Sequence, residues 1–271
     1  MYEEMNGNQR TMHVTATNVP ETRRLALTQR HPKRKHTPDR QFDPDHPELM
    51  DLPDPDPQIL RRDLENLRTI NRYFGGLRAV RVHVIDLIQK IDPARTIEIL
   101  DLATGSADHP IALVRLAHSM NRRIHITAVD RNPSMLGIAR ERAREYSEIT
   151  IEQGDLLKLN HSPKRFDIVL CSLAIHHFSR TDAVSILRTM VGCSRVGIIV
   201  NDLYRSWPAA WTAWIYTHLT TRNPMTLNDS YVSVLRAFTP SELREIADEA
   251  GVPNARIFSH PMFRLVLVGE H

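Results

Sequence analysis

The chain has 271 residues, of which 41% are hydrophobic, and this is enough for one sizeable core. Its net charge of +3 is small for this length and gives no argument for a nucleic-acid partner. Two cysteines and scattered histidines provide neither a disulfide framework nor metal-ligand spacing, so we expect a cytoplasmic protein without a metal. No apolar run approaches the roughly 20 residues of a membrane span, and the first residues lack the layout of a signal peptide.

The first 56 residues are rich in proline and poor in aliphatic side chains, so we expect a mobile arm without a core of its own. Residues 30–36 form a compact cationic run. This run is either a nucleic-acid or targeting patch or a solvated surface. The absence of interleaved aromatic residues favours the second interpretation.

Residues 57–92 carry apolar side chains at helical spacing and are predicted to form two helices that Gly75 and Gly76 separate. Arg72 and Tyr73 lie just before this double glycine. They are candidate substrate-pocket residues, or else a surface arginine and a packing tyrosine, and the pattern favours neither.

From residue 93 onward, apolar strands alternate with helical patterns. The first strand ends in Asp101, a turn of small residues follows, and the second strand ends in Asp130. Strand, tight turn and helix form the nucleotide-binding corner of a doubly wound α/β domain, where an acid on the second strand can hold a ribose diol. The turn has one glycine, Gly105, and no basic residue, which favours a ligand without phosphates.

The later strands are predicted to end near Asp155, Cys171 and Asn201. In a parallel sheet these carboxyl ends share one edge, so all five positions predict a single pocket.

These motifs, in this order, resemble class I S-adenosylmethionine-dependent methyltransferases of the small-molecule type, as in quinone biosynthesis and secondary metabolism. The resemblance implies an α/β fold with a doubly wound, seven-stranded, mostly parallel sheet and a C-terminal antiparallel hairpin. It implies a methyltransferase domain over 93–271, with N-terminal helices before it and a helical cap insertion at 203–238.

The same resemblance implies S-adenosylmethionine as cofactor. Asp101 would hold its methionine part, Asp130 its ribose and Asp155 its adenine amine. Further cofactor contacts are expected from Ala103, Gly105, Ala107, Arg131, Met135, Leu156 and Cys171.

The cap insertion is rich in aromatic residues, with Trp207, Trp211 and Trp214 on one helical face. This face either closes a pocket over a planar substrate or packs the helix onto the N-terminal helices. Asn201 and Arg205 are candidates for orienting a substrate oxygen.

His176 and His177 follow the fourth strand, where enzymes that methylate base amines carry a different motif. An imidazole there could take a proton from a phenol or enol, with His177 ahead of His176 and Asp202 as the alternative base. The other interpretation is a hydrogen-bonded scaffold.

We therefore expect methyl transfer to a hydroxyl of a small natural-product or quinone-like molecule. Two alternatives stay open: a cofactor-binding regulator that has lost transfer, because alanines replace two glycines of the turn, and a nucleic-acid methyltransferase that uses the basic arm. A homodimer stays open as well.

Overall fold

The computed structural model describes residues 37–52, 55–159 and 165–271. Within them lies one mixed sheet of seven strands, in the order β3-β2-β1-β4-β5-β7-β6. The strands are β1 (Ile97–Leu102), β2 (Ile124–Asp130), β3 (Ile149–Gln153), β4 (Phe166–Ser172), β5 (Ser194–Leu203), β6 (Arg256–His260) and β7 (Arg264–Glu270). β1 to β5 pair in parallel, whereas β7 runs antiparallel to both β5 and β6. The predicted sheet and its antiparallel hairpin are confirmed.

Helices connect the strands and cover both faces of the sheet. They are α1 (Pro57–Tyr73), α2 (Gly76–Ile88), α3 (Asp108–Ser119), α4 (Pro133–Ala143), α5 (Arg180–Cys193), α6 (Trp207–Thr220), α7 (Pro224–Arg236) and α8 (Pro240–Ala250). α8 begins with a capping box, in which Thr239 and Glu242 satisfy each other's backbone amides. Among the described residues, no helix is long and apolar enough to cross a membrane.

The strand β1 explains why helices pack on both faces. Its side chains alternate between two core clusters, with Ile97 and Ile99 in one and Leu100 and Leu102 in the other. All four are buried. Because successive side chains of a strand point to opposite faces, a continuous apolar run of this kind requires cover on both sides.

The order of the strands fixes where a ligand can bind. From β1 the chain first adds β2 and β3 on one side and then crosses over to add β4 and β5 on the other side of β1. Leu102 is the register partner of Cys171 at this point. The crevice beyond the carboxyl ends of these two strands is the topological switch point, where open α/β sheets bind their ligands.

The segment 37–52 packs against this end of the domain. Arg40 donates hydrogen bonds to the carbonyl oxygens of Arg236 (2.6 Å), His176 (3.1 Å) and Phe178 (2.8 Å). Its guanidinium carbon lies 3.9 Å from the centre of the Phe238 ring. The arm predicted to be mobile up to residue 56 is therefore docked over 37–52, because a long cationic side chain supplies the contacts that aliphatic residues do not. Residues 1–36, including the cationic run, lie outside the described residues.

Candidate active site

The turn between β1 and α3 holds an unusual backbone conformation. Ala103, Gly105 and Ala107 all have positive φ angles, of 54°, 55° and 59°. Glycine adopts this left-handed conformation freely, whereas an alanine there costs about 1–2 kcal/mol. The amide of Gly105 donates to Oδ2 of Asp130 over 2.9 Å. The two alanines thus follow a backbone path that glycine would take without strain.

Asp101 ends β1 with a buried carboxylate that lacks a full set of partners. The residue is 1% exposed, and its Oδ2 atom has no hydrogen-bond partner among the described residues. Burial raises the pKa of this carboxyl to about 7, because the charged form loses its hydration. A buried carboxylate with a free oxygen is stabilised by a cation, so an ammonium group fits here.

Asp130, at the end of β2, is held by backbone amides. Its Oδ1 accepts from the amide of Asn132 and its Oδ2 from that of Gly105, both over 2.9 Å. Burial raises the pKa of Asp130 above its ordinary value, and these two hydrogen bonds oppose the rise. Each carboxylate oxygen keeps a further lone pair, which is what a vicinal diol needs as an acceptor pair.

These acids open into one cavity of about 360 Å³ beyond the carboxyl ends of β1 and β2. The cavity brings together most of the residues predicted to hold a cofactor: Asp101, Ala103, Gly105, Asp130, Arg131, Met135, Asp155 and Leu156. The free oxygen of Asp101 shows that these residues fit the cofactor, because it offers an acceptor where the sequence predicted the cofactor's ammonium group.

Two residues predicted to touch the cofactor do not line this cavity. Ala107 is fully buried at the start of α3 and packs in a small cluster with Ile111 and Ala139. Cys171 is fully buried in the core, and burial raises the pKa of its thiol. Both side chains therefore face the core rather than the cavity.

A second, smaller cavity of about 140 Å³ adjoins the first. Its wall is mainly apolar and includes Leu67, Ile70, Phe74, Leu203, Tyr216 and Phe263. Glu48, His176 and His177 also line it. The two cavities share five lining residues: Met50, Leu67, Asn71, Leu173 and His177.

Leu173 is one of the residues at this junction, and its backbone is strained. Its φ is 55°, which is uncommon for a bulky side chain. The amide of Leu173 donates to the carbonyl of Asn201 over 2.8 Å, which ties the residue to the end of β5. Such strain persists where the surrounding structure imposes it, most often at functional sites.

His177 lies at the same junction, and its surroundings decide its charge. Nδ1 lies 2.6 Å from Oδ2 of Asp51, and Nε2 lies 3.9 Å from Oε2 of Glu48. Burial lowers the pKa of His177, but these two carboxylates outweigh burial and raise it to about 9. An imidazole with this pKa carries a proton near neutral pH. In that form it donates a hydrogen bond, which argues against the role of proton acceptor that the sequence suggested.

His176 pairs with the residue predicted as the alternative base. Its Nδ1 lies 2.6 Å from Oδ1 of Asp202, and its backbone amide donates to Oδ2 of the same carboxylate. Asp202 is buried and lines neither cavity, so it positions His176 rather than facing a ligand. The carboxyl also accepts from the amide of Leu203, and the His176 contacts help to hold its pKa below the ordinary value despite burial.

Comparisons with known proteins agree with this geometry. Residues 99–197, which run from β1 into β5, match the protein family described as methyltransferase domain. The demethylmenaquinone methyltransferase of Deinococcus radiodurans is 34% identical over 82 residues, which span 30% of this chain and 32% of that protein. This region of the chain is therefore similar to methyltransferase domains. The aligned part is about a third of that relative's length.

Solved structures share the fold of this chain at low sequence identity. A methyltransferase from Aquifex aeolicus described as SAM dependent has a TM-score of 0.52 and 13% identity, and the match covers 79% of this chain and 97% of that one. The CMeT domain of the citrinin polyketide synthase has a TM-score of 0.56 and 10% identity, covering 72% and 52% of the two chains. At these identities the likeness concerns the fold.

The candidate site has two residues that the sequence gave no reason to select. Glu48 and Asp51 lie in the proline-rich segment, in and beside the short 3-10 helix Leu49–Asp51. The amides of Leu49 and Met50 donate to the two carboxylate oxygens of Asp229 on α7, which anchors this helix at the cavities. The signal that could have identified them is the apolar pair at 49 and 50 within an otherwise polar stretch.

On α1, the residues predicted to contact the substrate are not those that face the cavities; their immediate neighbours are. Arg72 is exposed and Tyr73 is 72% exposed, and neither lines a cavity. Their neighbours Asn71 and Phe74 do line the second cavity. Since each residue of a helix turns by about 100°, the two pairs point to different sides.

The other four predicted substrate residues line neither cavity. Trp207 and Trp211 are 40% and 58% exposed on the outer side of α6. Asn201 is buried and donates to Oγ of Ser172 over 2.7 Å. Arg205 is buried and donates to the carbonyls of Pro38 and Ala237, so it fastens the N-terminal segment to the cap. Asn201 and Arg205 thus take part in packing around the cavities, whereas the two tryptophans lie at the surface.

Proposed function

We propose that this protein transfers the methyl group of S-adenosylmethionine to a hydroxyl oxygen of a small, mainly apolar organic molecule. The observation that carries the proposal is the junction at Leu173 and His177, where the cavity that holds the strand-end acids meets a mainly apolar one. A transferable methyl and its acceptor must meet at such a junction.

The larger cavity supplies the seat for the cofactor. Asp101 would take the ammonium of its methionine part, Asp130 the ribose diol and Asp155 the adenine amine. When bound, the cofactor supplies an electrophilic sulfonium methyl group. Asp101 and Asp130 are both largely buried, so their hydrogen bonds to a ligand would be made in surroundings that strengthen them.

The smaller cavity supplies the seat for the acceptor. Phe74 and Tyr216 form part of its wall, with ring centres 4.5 Å apart in an edge arrangement that suits contact with a flat ring. Glu48, His176 and His177 offer hydrogen-bond partners to one polar group of the acceptor, and the apolar wall excludes water from the rest. One hydroxyl on an apolar body matches this distribution.

Binding of the cofactor and transfer of the methyl group are tested separately. Calorimetry should show binding of S-adenosylhomocysteine and none of NAD, and Asp130→Ala should weaken it by about 1.5–3 kcal/mol, the scale of hydrogen bonds to charged groups. Transfer of labelled methyl should then be measured with phenols and with amines of the same carbon skeleton. Preference for the amines would refute oxygen as the acceptor, and unchanged affinity in folded Asp130→Ala would refute the cofactor site.

A second candidate is a protein that binds the cofactor without transferring its methyl group. Ala103 favours this candidate, because it lines the cofactor cavity at a position where a glycine would leave more room for the cofactor. Tight binding of S-adenosylhomocysteine with no turnover on any hydroxylated acceptor, in both the wild type and Ala103→Gly, would favour this second candidate. If turnover instead rises in Ala103→Gly, the side chain of Ala103 slows methyl transfer without abolishing it.

A further inference from the structure

The buried side chains of Glu48 and His176 and the half-buried side chain of His177 bring polar atoms close together without forming hydrogen bonds to one another. Nε2 of His176 lies 3.8 Å from Oε1 of Glu48, and Nε2 of His177 lies 3.9 Å from Oε2. Oε1 of Glu48 and Nε2 of His176 have no hydrogen-bond partner among the described residues, although these residues are 1% and 2% exposed. Buried polar atoms without a partner are rare and require an explanation.

The opposite nitrogen of each imidazole lies beside a carboxylate, with a hydrogen bond at His176 and a close ion-pair contact, without hydrogen-bond geometry, at His177. Nδ1 of His176 lies 2.6 Å from Asp202, and Nδ1 of His177 lies 2.6 Å from Asp51. A neutral histidine that donates from Nδ1 presents the lone pair of Nε2. Carboxylate, histidine and metal in this order are the usual arrangement around a bound ion, because the carboxylate fixes the tautomer and the ring orientation.

The local charges favour a cation once both imidazoles are neutral. Glu48, Asp51 and Asp202 bring three carboxylates to the two imidazoles. Nη1 of Arg236 lies 3.7 Å from Oε1 of Glu48, and Nη2 of Arg131 lies 3.3 Å from Oδ1 of Asp51. Ser233 Oγ donates to Oε2 of Glu48 over 2.7 Å and adds no charge. With neutral imidazoles, two arginines against three carboxylates leave a negative charge that a metal cation would offset.

We propose that Glu48, His176 and His177 form a binding site for a divalent transition-metal ion, with two imidazole nitrogens and one carboxylate as its protein ligands. The donor atoms lie within 4.8 Å of one another. Around one ion they would be about 3.4 Å apart, so binding draws them inward by roughly an ångström or less. This reverses the expectation, drawn from sequence spacing, that the protein holds no metal. Spacing along the chain could not reveal the site, because 128 positions separate Glu48 from His176.

The ligand types limit which ions can bind. Two histidines and one carboxylate with open positions are typical of Fe²⁺ in oxygenases and of Zn²⁺ in hydrolytic enzymes. In the metal-bound state the ion replaces any proton on Nε2 of the two imidazoles. All three residues line the smaller cavity, so the open positions would face an acceptor oxygen there. That last role rests on the proposed function, whereas the metal site itself does not.

The test is metal binding by the full chain in the absence of S-adenosylmethionine. The purified protein is stripped with a chelator and titrated with Zn²⁺ or Co²⁺, and with Fe²⁺ under anaerobic conditions. We expect one tight equivalent, with Co²⁺ giving the absorption bands of a site with nitrogen and oxygen ligands. No saturable binding by the wild type at micromolar ion would overturn the proposal, whatever the variants do.

Variants locate the binding to these residues. Glu48→Gln and His177→Gln should each weaken binding at least about 100-fold, and Asp202→Asn about 10- to 100-fold through the orientation of His176. His118→Gln is the matched control, because His118 also lies 2.7 Å from a glutamate, Glu148, but on the surface and alone. Equal loss in the control, or unchanged binding in Glu48→Gln, would contradict the site.

Folding and function are followed separately. Circular dichroism and the affinity for S-adenosylhomocysteine show whether each variant is folded. Should Glu48→Gln fail to fold, the Co²⁺ spectrum of the wild type still decides whether nitrogen ligands are present. Failure of metal binding with intact S-adenosylhomocysteine binding would refute the metal site alone. The reverse result would refute the cofactor assignment alone.

Discussion

Oδ1 of Asp202 lies 2.6 Å from Nδ1 of His176, although the two residues are 26 positions apart, one near the end of β5 and the other after β4. The same carboxylate also accepts from the backbone amide of His176 over 3.0 Å. One acid thus fixes both the ring and the main chain of the histidine. This links the end of β5 to the turn after β4, where the two cavities meet.

The first prediction concerns the stability of this pair. Asp202→Ala leaves a buried imidazole and a buried amide without their acceptor, so we expect a loss of about 3 kcal/mol in the free energy of unfolding. Urea denaturation measures the loss. Glu145→Ala, an exposed carboxylate on the surface, is the control and should change stability by less than about 0.5 kcal/mol. Equal effects of the two substitutions would contradict the role assigned to Asp202.

A second prediction concerns pH and cofactor affinity. Burial raises the pKa of Asp101 to about 7, so the carboxylate that would hold an ammonium becomes protonated as the pH falls below 7. Affinity for S-adenosylhomocysteine should therefore weaken by up to about tenfold between pH 7 and pH 6. In Asp101→Asn the affinity should be lower and independent of pH over this range. A wild-type affinity that stays constant from pH 7.5 to 6 would contradict the assignment.

The same raised pKa has a consequence for the unliganded protein. A carboxyl whose pKa is higher in the folded state than in the unfolded state stabilises the fold at low pH, and this contribution is lost as the pH rises through 7. Asp101→Asn removes the ionisable group. The variant should therefore gain stability relative to the wild type above pH 7, as measured by thermal unfolding without ligand.

A third prediction separates backbone conformation from packing at two glycines. No atom lies within 4 Å of a Cβ added at either Gly105 or Gly137. Gly105 has a φ of 55°, so Gly105→Ala should cost about 1–2 kcal/mol from conformation alone. Gly137 lies inside α4, where alanine is the better helix former, so Gly137→Ala should gain about 0.5–1 kcal/mol. Chemical denaturation of both variants should give opposite signs, and the same sign would refute the left-handed turn.

A fourth prediction concerns neighbouring aromatic residues at the end of α1. Phe74 lines the acceptor cavity, whereas Tyr73 is 72% exposed and lines neither cavity. Phe74→Ala should raise the KM for the acceptor several-fold, because apolar contact in the cavity is lost. Tyr73→Ala should leave KM within about twofold. If Tyr73→Ala instead has the larger effect on KM, Tyr73 contacts the acceptor, as the sequence pattern suggested.

The amino-acid sequence by itself determined the fold and most of the cofactor cavity. Each strand, turn and helix of the core is encoded locally, by apolar alternation, by small residues in the turn and by caps such as Thr239. The acids Asp101, Asp130 and Asp155 were identifiable because they follow strand ends. Parallel strands bring their carboxyl ends to one edge whatever the details of packing.

Only the tertiary structure decided which residues form the second cavity. Glu48 and Asp51 reach His176 and His177 from a segment without periodic pattern, anchored by Asp229 on α7. On α1 the choice between Tyr73 and Phe74 depends on the rotation of one helix about its axis. Rotation and long-range docking arise from packing between elements far apart in the chain, and local sequence carries no record of them.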